Sequence, residues 1–176
     1  ELSSIYALKG RNLKIRWVNE VKSSAPDKMS ETALQSAYLQ MAYENYEKGY
    51  FENLNHFHSG INALGFLTIL LALAERHPEV WLQSFETEEE AIEKLNKYKD
   101  KHEQLTICIK LAICIAKEKM TDEEEAQNWL NITEADFAFL TSSRTSRVSL
   151  LYKRALQNAS QLQIETALRQ VRMFEM

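Results

Sequence analysis

Composition and apolar spacing point to an all-α protein. Only four glycines and two prolines occur in 176 residues, so turns are scarce. Ala, Leu, Glu, Lys and Gln, which favour helix, recur along the whole chain. Apolar residues fall at spacings of three and four rather than two. With 45% hydrophobic residues, residues 1–176 can bury a core as one helical domain, for which about seven helices are expected.

Residues 2–22 set Leu2, Ile5, Tyr6, Leu8, Leu13, Ile15, Trp17 and Val18 among basic residues, a helix expected to be interrupted at Gly10. "KSSAPDKMS" breaks it, because Pro26 disfavours helix at Ala25. A second helix is expected from about Ser30 to Glu52, with Leu34, Ala37, Tyr38, Met41, Ala42 and Tyr46 on its apolar face. "NLNHFHS" is its polar connector, with Phe57 turned inward. A third helix runs from about Ser59 to Arg76 and stops before Pro78, and "VWLQSF" links it onward. Its apolar stretch, residues 63–74, has twelve residues where a membrane span needs roughly 20, so it reads as a buried helix and no membrane partner is expected. Three later helix starts carry capping boxes, Thr87 with Glu90, Thr121 with Glu124 and Ser160 with Gln163, in which each side chain satisfies a free backbone donor of the other.

Those caps explain the glutamate runs "ETEEE" and "DEEE", which lack the central glycine and alternating ligands of a calcium loop. No Gly-rich phosphate loop or nucleophile elbow occurs, and His77 and His102 stand in no catalytic motif, so a non-enzyme is expected. His56 and His58 lie two apart, not at the spacing that puts two imidazoles on one helix face, and no metal is expected. Cys108 and Cys114, six apart, are expected to be reduced core residues of a cytoplasmic protein. The "NIT" and "NAS" sequons would matter only in a secreted chain. Net charge is −4, with twelve acidic against seven basic residues over 86–126 and six basic against two acidic over 144–176. The C-terminal arginines are spaced among apolar residues, which argues for a solvated helix face and against nucleic acid. Glu1 in place of methionine suggests a piece of a longer protein.

One short pattern repeats. Ala42, Tyr46 and Gly49 form small-x3-aromatic-x2-small, and Val148, Tyr152 and Ala155 form it again 106 residues later, close to three periods of about 34. Phe139 falls where the preceding helix of such a unit has its aromatic. Both copies resemble the second helix of a tetratricopeptide repeat. The succession "LKGRNLKIRW", "YEKGYFEN", "HSGINAL" is similar to that of the TRAFs-binding region, the central helical repeat array of apoptosis signal-regulating kinases and of related bacterial repeat proteins. "NWLNITEADFAFL" followed by "SLLYKRAL" resembles the close of the bacterial arrays. Gly10, Arg11, Lys14, Gly49, Gly60, Ile61 and Asn62 match family positions, whereas Tyr50 replaces a phenylalanine and His58 a tyrosine.

The resemblance implies a tetratricopeptide-like array of antiparallel helix hairpins, a short α-solenoid. Its implied function is a non-catalytic scaffold or regulatory domain without cofactor, positioning partner proteins or adjacent domains of the same chain. Gly60 and Asn62 of "GIN" are expected to open a helix at a hairpin seam, with Asn62 hydrogen-bonding across it. Tyr46, Tyr152 and Ala155 are expected to be mainly structural. Partner contacts are expected at outward positions of two first helices, from Ser59 to Arg76 and from about Glu123 to Leu140: Asn62, Phe66, Asn128 and Asp136. The alternative is a helical domain for a small molecule or nucleotide, with Arg11, Lys14 and the histidines converging on an anion.

Overall fold

The computed structural model describes residues 1–119 and 124–174. Among them there are nine α-helices and no strand, so the chain is all-α but with more helices than the seven expected. The described residues gather into two compact units, 1–105 and 106–176.

In the first unit, α1 (Leu2–Ser23) is continuous through Gly10, contrary to the expected interruption. The cause is tertiary: a Cβ at Gly10 would stand 2.9 Å from the Tyr46 ring, so the glycine serves close packing and the helix absorbs its poor propensity. A 3-10 turn (Pro26–Lys28) leads into α2 (Met29–Gln35), and α3 (Ala37–Glu52) follows. The single helix expected over 30–52 is thus split at Ser36, whose ψ of 119° is extended. The buried Ser36 hydroxyl donates to the Glu20 carboxylate, a tertiary bond that local pattern does not reveal.

Helix α4 (Phe57–Arg76) starts one turn before "GIN", with His56 as its N-cap, and ends before Pro78 as expected. It is long and apolar enough to cross a membrane, yet 61% of its most apolar window is buried inside this protein. Gly10 faces Tyr46 while Ser3 and Tyr6 face Gly49, so α1 and α3 run antiparallel. Trp17 meets Phe66 and Lys14 meets Asn62, so α1 and α4 run parallel. The core between them is Trp17, Leu39, Tyr46, Tyr50, Leu64, Phe66 and Leu67. Within the linker expected at "VWLQSF" lies a short helix, α5 (Pro78–Leu82).

Helix α6 (Glu88–Glu118) is 31 residues long, and residues up to Leu105 belong to the first unit. There Tyr98 packs edge-on to Tyr43 at 5.7 Å, Lys101 pairs with Glu47 at 3.4 Å, and His102 hydrogen-bonds Thr68 at 2.9 Å. The Thr87 hydroxyl accepts the Glu90 N–H at 3.2 Å, one of the two bonds of the first capping box. The second, Thr121 with Glu124, lies outside the described residues, because Thr121 does. The third closes in both directions between Ser160 and Gln163, at 2.9 and 3.3 Å.

The second unit contains the remainder of α6, α7 (Glu124–Thr141), α8 (Thr145–Leu156) and α9 (Gln161–Phe174). Asp136 bonds Tyr152 and Asn128 bonds the Asn158 carbonyl, so α7 and α8 run antiparallel. Gln163 reaches the Glu125 carbonyl and Phe174 stacks on Phe139, so α7 and α9 run parallel. Ile132, Ala155 and Ala167 form the core where the three meet. The two units differ in packing: in the first the Tyr-bearing α3 is the central helix, packed on both α1 and α4, whereas in the second α7 is central and the Tyr-bearing α8 packs chiefly on it.

Candidate functional site

Residues far apart in sequence meet at one polar seam in the first unit. Helix α1 supplies Arg11 and Lys14, the start of α4 supplies His56, His58, Ser59 and Asn62, and α3 supplies Tyr46. Lys14 Nζ donates to Asn62 Oδ1 at 2.9 Å, which is the cross-seam bond expected of Asn62. Asn62 Nδ2 donates to the His58 carbonyl one turn earlier at 2.8 Å and lies 3.4 Å from His58 Nδ1. The His58 ring meets the Tyr46 ring edge-on at 5.8 Å, and the Tyr46 ring stacks on Phe66 at 6.1 Å. Gly49 and Ser59 close the far end, where a Cβ on the glycine would come within 3.0 Å of the Ser59 hydroxyl and 3.1 Å of the Ser3 carbonyl.

The seam is electropositive. Protein packed around His58, then the charges of Lys14, His56 and Arg11, holds its pKa down to about 4, so the ring is neutral at physiological pH although part of it reaches solvent. Burial raises the Tyr46 phenol, and Arg11 opposes that shift. The Tyr46 hydroxyl, His56 Nδ1 and the Ser59 hydroxyl are buried without hydrogen-bond partners. Among the described residues no three His, Cys, Asp or Glu side chains are grouped to hold a metal ion. Lys14, one of the cations expected to converge on an anion in the alternative reading, is engaged by Asn62. The Lys14–Asn62–His58 bonds tie α1 to the start of α4.

Gly10, Lys14, Tyr46, Gly49 and Asn62 lie buried or half-buried in this seam, Gly60 and Ile61 are buried on α4 beside Asn62, and Arg11 is exposed. In the second unit Tyr152 donates to Asp136 at 2.5 Å and Ala155 is buried, the structural places expected of both. The expected outward positions are different: Asn62 is 1% exposed, Phe66 0% and Asp136 7%. Phe66 fills the space between Trp17 and Tyr46, and Asp136 is turned into the α7–α8 contact, so these three face inward. Asn128 is half-buried and ties α7 to the turn after α8. The expected start of the second partner-binding helix, Glu123, lies outside the described residues. Cys114 is exposed and Cys108 half-buried, so neither is a core residue; both are free thiols.

What sequence reasoning missed is the outer face of α1. Its buried face is Ser3, Gly10, Trp17 and Val21, and the opposite face carries Ile5, Leu8 and Ile15, which are 50%, 56% and 47% exposed. A surface helix normally turns polar residues outward. The signal was present in the spacing of small residues, since Ser3 and Gly10 are one heptad apart and mark the close-packed side. Comparison with protein-family models, curated proteins and solved structures found no match.

Proposed function

We propose that the chain is a non-catalytic protein-interaction scaffold or regulatory domain of the cytoplasm, built as a tetratricopeptide-like helical array related to the TRAFs-binding region. One observation carries the interaction reading: the solvent face of α1 is apolar at Ile5, Leu8 and Ile15, with Lys9, Arg11 and Arg16 beside them. Exposed apolar residues aligned on one helix face and rimmed by charge are what protein interfaces present. The occupant is a partner protein or an adjacent domain that brings an apolar surface with acidic margins.

The repeat reading draws support from the recurring Tyr motif, which lies on an antiparallel helix pair in each unit. In both units the Tyr-bearing helix carries small-x3-Tyr-x2-small, and its small positions let neighbouring helices approach. The family motif residues, almost 50 positions apart at Lys14 and Asn62, bond each other directly. Quantitative capture from the native cell with wild type and an Ile5→Asp/Leu8→Asp variant tests the function. A defined set of proteins lost with the folded variant supports it, and identical sets from both overturn it.

A further inference from the structure

The second unit contains a groove that the scaffold reading does not use. It lies between the C-terminal part of α6, the C-terminal half of α7 and the start of α8, with a volume of about 480 Å³, inside the range of roughly 300–1,000 Å³ that small-molecule sites occupy. Its rim carries three cations, Lys110, Arg144 and Arg147. None of them has an ion pair or side-chain hydrogen bond among the described residues. The lining carboxylate, Glu134, is already taken by Lys117. Three uncompensated cations in one hollow are a local reversal in a chain of net charge −4.

The remaining lining divides by chemistry. Thr141, Ser142 and Ser143 bring hydroxyls beside the cations, and Ser142 accepts the Arg144 N–H at 3.1 Å, fixing the turn that presents the arginine. Ile113, Phe137 and Ala138 give the groove an apolar wall. Guanidinium forks and hydroxyls together match a group with several strongly accepting oxygens, and the apolar wall matches a compact organic body attached to it.

We propose that this groove binds a small organic phosphate ester, with Arg144, Arg147 and Lys110 holding the phosphate and Ile113, Phe137 and Ala138 receiving the organic part. Bound ligand joins α6, α7 and the start of α8, so occupancy stabilises the second unit.

The test is calorimetric titration of the full chain with phenyl phosphate, inorganic phosphate and benzoate. Phenyl phosphate is expected to bind more tightly than either of the others by about tenfold or more, because each of them lacks part of the contact set. Arg144→Ala and Arg147→Ala, both at exposed positions, should each weaken phenyl phosphate by about tenfold, the scale of one lost charge-assisted hydrogen bond, and Arg154→Ala on the same helix should not. Circular dichroism checks that the variants remain helical. Absence of binding up to millimolar ligand, equal binding of benzoate, equal binding of inorganic phosphate, or unchanged affinity in the Arg144→Ala/Arg147→Ala double variant would each overturn the proposal.

Discussion

Replacing Gly10 by alanine isolates the contact on which the first unit closes. The added Cβ would stand 2.9 Å from both Tyr46 Cγ and Cδ2 and 3.0 Å from Cδ1, over the inner edge of a ring that is 0% exposed. The ring cannot step aside, because Phe66 stacks on it and Trp17 blocks Phe66 in turn. Overpacking of this kind costs about 1–3 kcal/mol, while alanine in a helix interior returns about 1 kcal/mol over glycine, leaving a net loss of about 0–2 kcal/mol. In a Tyr46→Ala background the ring is gone and only the helix gain remains, so the same substitution should stabilise by about 1 kcal/mol. The coupling energy is therefore about 1–3 kcal/mol, measurable by urea denaturation of the four proteins of the cycle followed by circular dichroism and tryptophan fluorescence. Additive effects, within about 0.5 kcal/mol, would refute the packing argument.

Tyr46→Phe removes a buried hydroxyl that has no partner and is expected to leave stability unchanged or raise it by about 1 kcal/mol, whereas Tyr46→Ala should cost about 3–5 kcal/mol; denaturant midpoints distinguish the two. Tyr152→Phe withdraws a donor from the buried Asp136 carboxylate and should cost about 1.5–3 kcal/mol, read from denaturant midpoints, and Asp136→Lys should unfold the second unit outright, read by the fluorescence of the half-buried Trp129. His58 has a folded pKa of about 4 against 6.5 unfolded, so the unfolded state takes up its proton first as pH falls. Its contribution is present above pH 6.5 and lost progressively towards pH 4; burial lowers His102 in the same direction. Thermal midpoints should therefore fall from pH 7 to 4.5, and His58→Gln should reduce that fall; an undiminished fall in the variant would remove His58 from the account.

The all-α class, the end of α4 at Pro78 and the caps at Thr87 and Ser160 were legible because each is written in adjacent residues. The split at Ser36 was not, since it depends on Glu20 from another helix. Gly10 reads as a helix breaker until Tyr46 is set against it. Motif order placed Asn62 at a seam with a bond across it, but its partner, Lys14 of α1, came only with the fold, because the pairing depends on how α1 lies beside α4. Helix phase misled at Phe66 and Asp136. Most residues around the start of α4 are buried, from Ser59 through Leu67, so an apolar helix with no polar side gives no period from which to read an outward face. The groove at Lys110, Arg144 and Arg147 joins residues from three helices and had no linear signature beyond the basic C-terminal segment.

Under the scaffold proposal the apolar outer face of α1 meets another protein surface. The most direct measurement is in-cell photo-crosslinking from a reactive side chain placed at Leu8, with the same group at the exposed Gln157 as comparison. A discrete adduct is expected from position 8, and it should disappear when Ile5 and Ile15 are changed to aspartate in a protein that stays helical. The same adducts from position 157, or none from position 8 above background, would contradict it.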